Sequence, residues 1–159
     1  MRRRFSQSRP DRSGTTLVET AVVLPMFFIV LFGFIEFGHC FMTIHTMNSA
    51  ARRAARAGIG ETATSAQIIA EAHDILNQAI NADLENVKIQ VKDASVFDTA
   101  NVNAATINYE NLPDVEVSTL PSQALFIVRI QVPYSEVGIL GPKWITALNL
   151  YGQSVMRKE

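Results

Sequence analysis

Few residues of this 159-residue chain carry chemistry in a suggestive setting, and Glu19 is the first of them. It lies near the start of a run, Leu17 to Phe41, in which only a few positions are polar. A carboxylate in a spanning helix costs about 2.5–3.5 kcal/mol near the bilayer centre and less near its edge. Glu19 therefore calls for a cationic partner. A second setting is Glu36, His39, Cys40 and Thr43, which share one helical face at i, i+3, i+4 and i+7. This reads as the polar outer end of the run, with a Glu36–His39 contact. A metal site is not expected there, because His45 falls on another face and His73 is distant. Arg52, Arg53 and Arg56 form a third cluster. Its chemistry suits anionic lipid or nucleic acid, and on a helix leaving a membrane the reading is headgroup contact, with no nucleic-acid partner. The acids from Asp93 to Glu116 have the oxygens that calcium prefers but not the spacing of a ligand loop, so they read as a solvated acidic loop. The sequence has no phosphate-binding loop, no Gly-x-Ser-x-Gly, no His-Glu-x-x-His and no cysteine pair, and its three histidines are dispersed. Neither an enzyme nor a cofactor is expected. Cys40, the single cysteine, reads as a small membrane-facing residue.

The element that must position Glu19 is a long helix. The 25 positions from Leu17 to Phe41, at roughly 1.5 Å each, extend about 37 Å, enough to cross a hydrocarbon core of about 30 Å with some tilt. Charge is distributed unevenly around this helix. Up to Gly14 there are five arginines and one aspartate, +4; from Thr15 onward 9 basic and 14 acidic residues give −5. The basic end is expected on the cytoplasmic side of the membrane, with the C-terminal part outside. Residues 1–14 read as a basic leader, 15–45 as the transmembrane helix and 46–60 as its extension. Removal by an ordinary signal peptidase is not expected, since Glu19 and Glu36 both sit wrongly for it. The extension is rich in alanine, the best helix former. Ala50/Ala54 and Ala51/Ala55 present a smooth flank that another helix can approach. Gly58 and Gly60 are the expected stop.

Residues 61–159 are expected to form a soluble α+β domain. Thr64-Ser65 caps a second helix whose Ile68, Ile69, Ala72, Ile75, Leu76, Ala79 and Ile80 share one face, with His73 beside the polar side. Val87, Ile89 and Val91 alternate with Lys88, Gln90 and Lys92, predicting a strand. A polar, Asn-rich stretch, 93–122, holds a short predicted strand at Val115–Val117. Phe126, Val128, Ile130 and Val132 give the clearest alternation. A loop with Gly138, Gly141 and Pro142 leads to Trp144, and a last strand runs through Leu148 and Leu150 towards Val155 or Met156. The fold class is α+β: a long N-terminal transmembrane helix extending into a small domain, with one amphipathic helix on an antiparallel sheet whose last strands are joined by hairpin-length connections.

Three blocks occur in order and in register: Arg12-Ser-Gly14-Thr-Thr-Leu-Val-Glu19 through Leu24-Pro25, Phe32-Gly-Phe-Ile-Glu-Phe-Gly38, and Asn48-Ser-Ala-Ala-Arg-Arg-Ala-Ala-Arg56. Together they resemble the TadE-like minor pseudopilins of tight-adherence (Tad/Flp) pilus systems. The resemblance covers about residues 12–58, and the C-terminal Ser154–Glu159 adds a weaker likeness. It implies a pilin-like fold and cleavage between Gly14 and Thr15 by a membrane prepilin peptidase. Glycine suits such a cut because an extended backbone must enter the cleft unobstructed. It further implies that Glu19 pairs with the free amine of a neighbouring subunit and so sets subunit registry. Thr15 stands where many type IV pilins have an aromatic residue or Met, so N-methylation is not expected. Thr20 stands where major Flp pilins often have an aromatic residue, which favours a minor subunit. Pro25 would soften the helix for transfer from bilayer to fibre. Implied partners are the peptidase, other pilins and pseudopilins, the inner-membrane assembly platform and the lipid bilayer. The implied function is a minor pseudopilin-like subunit contributing to pilus assembly and adherence; the alternative is an uncleaved, single-span anchored binding or scaffold protein.

Overall fold

A computed structural model describes residues 13–80, 86–139 and 148–159. The leader up to Arg12, and Gly141, Pro142 and Trp144 of the predicted loop, lie outside the described residues. The chain forms two compact units, Met1–Ile35 and Glu36–Glu159. Helix α1, Ser13–Ala57, supplies the first unit's described residues and opens the second. Pro25 lies inside it, and the helix is assigned without a break across that residue. Threonines along it turn their hydroxyls back on the preceding turn: Thr20 to Thr16 O at 2.8 Å, Thr43 to His39 O at 3.0 Å and Thr46 to Met42 O at 3.0 Å. Such back-bonding lets a polar residue ride in an apolar helix without an unmet donor.

The second unit is a mixed α+β domain. Helix α2, Ser65–Ala79, begins with a capping box in which the Thr64 hydroxyl accepts from Gln67 N–H at 3.3 Å while Gln67 Oε1 accepts from Thr64 N–H at 3.0 Å. Strands β1 (Lys88–Asp93), β2 (Leu125–Pro133) and β3 (Asn149–Arg157) form one antiparallel sheet in the order β1-β2-β3. The connection from β2 to β3 is not hairpin-length: it takes residues 134–148 and begins with a one-turn helix, α3, Tyr134–Val137. One sheet face, with Val91, Phe126, Val128, Ile130, Val132 and Leu150, shares a core with Met47, Ala50, Ala51, Ala54 and Ala55 of α1 and Ile68, Ala72 and Leu76 of α2. Each fully buried Ile, Leu or Phe contributes about 1.5–3 kcal/mol.

Several expectations change here. The alanine flank is taken up inside this domain: Ala50, Ala51, Ala54 and Ala55 are fully buried in the core that α2 and the sheet share. Helix α1 does stop before Gly58, but among the described residues no glycine has positive φ. Glycine is needed there for space, since a Cβ would lie 2.4 Å from Ile68 Cδ1 and 3.2 Å from Phe126 Cζ. The predicted strand at Val115–Val117 is a single bridge, Lys92 with Asp114, followed by a 3₁₀ turn at Val117–Thr119. Glu116 caps instead, accepting from Ser65 N–H at 2.8 Å. Lys92 is held beneath the same stretch. It is buried, its ammonium donating to Leu112 O (2.8 Å) and Glu110 O (3.3 Å) and pairing with Asp114 at 3.0 Å. Lys158 is buried in the same way under Val117 O and Leu120 O, at 2.9 and 2.8 Å. The Asn-rich stretch is thus fastened to the sheet by ammoniums set beneath its carbonyls, which meets the rule that a buried charge must be paired and hydrogen-bonded.

Candidate functional site

Residues 14–20 lie in the first turns of α1 and are exposed. A Cβ added at Gly14 would meet nothing within 4 Å, so packing gives no reason for glycine there. In a helix it is disfavoured by roughly 0.5–1 kcal/mol against alanine. Thr15 is equally exposed. Glu19 lies with Thr16, Thr20, Val23, Leu24 and Phe27 along a shallow groove. Thr20 does not turn towards the carboxylate, its hydroxyl being spent on Thr16 O. Among the described residues no salt bridge reaches Glu19.

The surroundings of Glu19 are apolar and uncovered. Leu17, Val18, Val22, Met26, Phe27 and Ile29 are all exposed, and none of the most apolar 18-residue window of α1 is buried. Its mean hydropathy of 2.3, in a helix of this length, meets the requirement for crossing a membrane. Arg52, Arg53 and Arg56 project from the exposed side of α1, opposite the buried alanines. Arginine's long stem and always-charged head suit an anionic surface.

The structure does not bring these groups together into a catalytic arrangement. Among the described residues no three His, Cys, Asp or Glu side chains are grouped to hold a metal. The acids of the 93–122 stretch are engaged separately, Asp98 with Arg157 at 2.6 Å and Asp114 with Lys92. Glu116 is held below the usual glutamate range, first by the Ser65 backbone N–H it accepts.

The Glu36 face has a different use from the one expected. Glu36 accepts a hydrogen bond from the Tyr134 hydroxyl, and His39 Nε2 lies 2.8 Å from Val137 O. Thr43 is buried and Cys40 packs against the core. The polar face is therefore where α3 docks on α1. Burial, followed by the Glu36 carboxylate, holds the Tyr134 phenol above its ordinary pKa, so it stays a donor. A partner for Glu36 could not be chosen from helical spacing, because Tyr134 is 98 residues away.

Compared with known families, residues 14–56 match the model of the TadE-like proteins, 43 of the 159 residues. No curated protein and no solved structure matches the chain. The matched segment contains Gly14, Thr15, Glu19, Pro25, Arg52, Arg53 and Arg56 and ends one residue short of the end of α1.

Proposed function

We propose that this chain, TadE-like over residues 14–56, is a membrane-anchored minor pseudopilin-like subunit of a Tad-type pilus or secretion pseudopilus. The observation that carries this reading is a coincidence of boundaries. The family match begins at Gly14 and ends at Arg56, and so takes in nearly all of an apolar helix that has no protein cover over its most apolar window. A helix of that kind needs lipid before assembly and neighbouring helices after it. In this reading a prepilin peptidase cuts between Gly14 and Thr15, removing the +4 leader and creating an ammonium at Thr15. Glu19 then pairs with the corresponding ammonium of a neighbouring subunit in one axial stagger. Pro25 softens the helix for its departure from the bilayer. Arg52, Arg53 and Arg56 meet headgroups or assembly partners. The N-terminus is cytoplasmic and the α+β domain lies outside the inner membrane. Other pilins, pseudopilins and the assembly platform are the partners, and the chain itself catalyses nothing.

One observation favours the alternative of an uncleaved anchor: Gly14 and Thr15 are helical, whereas a protease needs extended backbone. The first turn of a helix is its weakest, because its N–H groups lack intrahelical partners, so opening it is a small demand. Intact mass and N-terminal sequencing after co-expression with the cognate peptidase decide between the two. The expected product starts at Thr15 and is lost on Gly14→Val. A product that retains Arg2 to Arg12 beside an active peptidase would establish the static anchor.

A further inference from the structure

Arg129 occupies the middle of the sheet, with Gln90 of β1 and Gln153 of β3 as its in-register neighbours. It is only 8% exposed. Its guanidinium carbon lies 4.4 Å from the centroid of the Tyr151 ring and 5.3 Å from that of Tyr109. Both rings make further contacts. Tyr109 stacks on Phe97 at 6.1 Å and donates its hydroxyl to Ala104 O at 3.1 Å, while the Tyr151 hydroxyl donates to Glu110 Oε1 at 3.4 Å.

Two aromatic faces attract the cation but offer nothing to its N–H edge. Arg129 Nε is buried and has no hydrogen-bond partner, and among the described residues no carboxylate forms an ion pair with this guanidinium. A buried charged donor in that condition is unusual and needs an explanation. The acids of the 93–122 stretch contact other groups: Asp98 contacts Arg157, Asp114 Lys92, Asp93 the Ser95 N–H at 2.7 Å, Glu110 the Tyr151 hydroxyl and Glu116 the Ser65 N–H. Charge complementarity therefore asks for an anion from outside the chain. A planar guanidinium matches a carboxylate, which it can bind through two parallel N–H···O bonds.

We infer that Arg129, held by Tyr109 and Tyr151 on the sheet face away from the helices, receives an aspartate or glutamate side chain of a neighbouring subunit. The excess of acids in the chain after Gly14, 14 against 9 bases, means that subunits of this composition carry such side chains in number. The tyrosines keep the guanidinium at a fixed height and orientation, so that little rotamer freedom is lost when the carboxylate arrives. This site is separate from the processing and registry residues of α1, and its failure would leave that reading untouched.

Acetate is the probe. The full chain, ¹⁵N-labelled in detergent micelles, is titrated with sodium acetate and, at matched ionic strength, with sodium chloride. The Arg129 Nε–H signal is assigned by its disappearance in Arg129→Lys. A saturable shift with acetate and none with chloride is expected, retained in Tyr151→Phe and weakened at least about tenfold in Tyr151→Ala. Arg129→Lys, read through the backbone amides of Tyr151 and Gln153, should lose the saturable response. Equal responses to the two salts, or no saturation in either, would overturn the assignment. So would acetate binding that appears only in Glu110→Gln, since Glu110 would then be the internal counter-ion.

Discussion

Single residues in this protein take their roles from atoms far away in sequence. Glu116 lies in a polar stretch, yet its carboxylate holds the first N–H of α2 at 2.8 Å and touches Ser118 N–H at 3.4 Å. Its pKa is lowered in the folded state, so its contribution to stability is complete above the ordinary glutamate value of about 4.3 and is lost as pH falls through the lowered value. Amide exchange at Ser65 should be slower in the wild-type chain than in Glu116→Gln near neutral pH, and the difference should vanish in strong acid. A difference that persists in acid would mean that the carboxylate charge is not what holds the turn. Tyr134 and Lys158 follow the same pattern. A phenol and an ammonium are buried donors, one to Glu36 and the other to the carbonyls of Val117, Ser118 and Leu120.

Among the elements, β3 approaches α1 closely. A Cβ on Gly152 would lie 2.5 Å from Met47 Cβ, 2.6 Å from Met47 C and 2.9 Å from Asn48 N. Two of these are backbone atoms, which cannot swing aside. The seam is fixed further by Asn48 Oδ1, which accepts from Gln153 N–H at 3.0 Å. Gly152→Ala should therefore destabilise the domain by about 1–3 kcal/mol or more, read as a fall in the thermal midpoint. Gly60→Ala is the control: a Cβ there meets nothing within 4 Å and φ is not positive, so the midpoint should barely move. Equal effects of the two substitutions would mean that β3 can back away from α1.

For the whole molecule, the decisive property is an uncovered apolar helix carrying one acid near its start. If Glu19 sets the stagger between subunits, Glu19→Ala should leave membrane insertion intact, because removing a charge only makes the helix easier to accommodate in lipid. Co-purification with pilus partners should be abolished. Insertion with undiminished co-purification would show that registry does not depend on this carboxylate. The Arg129 site makes a separate demand on assembly, through the sheet face rather than the helix, so the two variants should be separable by which contact is lost.

The sequence by itself determined the long apolar helix, its alanine-rich helical extension, the capped second helix and the two clearest strands. It also determined the TadE-like segment, because these depend on local periodicity, capping and short motifs. The α+β class and the antiparallel sheet were legible for the same reason. Only the tertiary structure decided how polar residues are used. Lys92 alternates along β1 like any solvent-facing residue, and nothing local says that the 93–122 stretch will fold over it. The Glu36, His39 and Thr43 face is equally polar whether it meets headgroups or α3. Arg129 sits in an alternating strand where its neighbours in sequence are apolar, while the tyrosines that hold it come from positions 20 residues before and 22 residues after it. Periodicity records which way a side chain points from its own backbone; what waits for it there is set by long-range contacts that spacing does not encode.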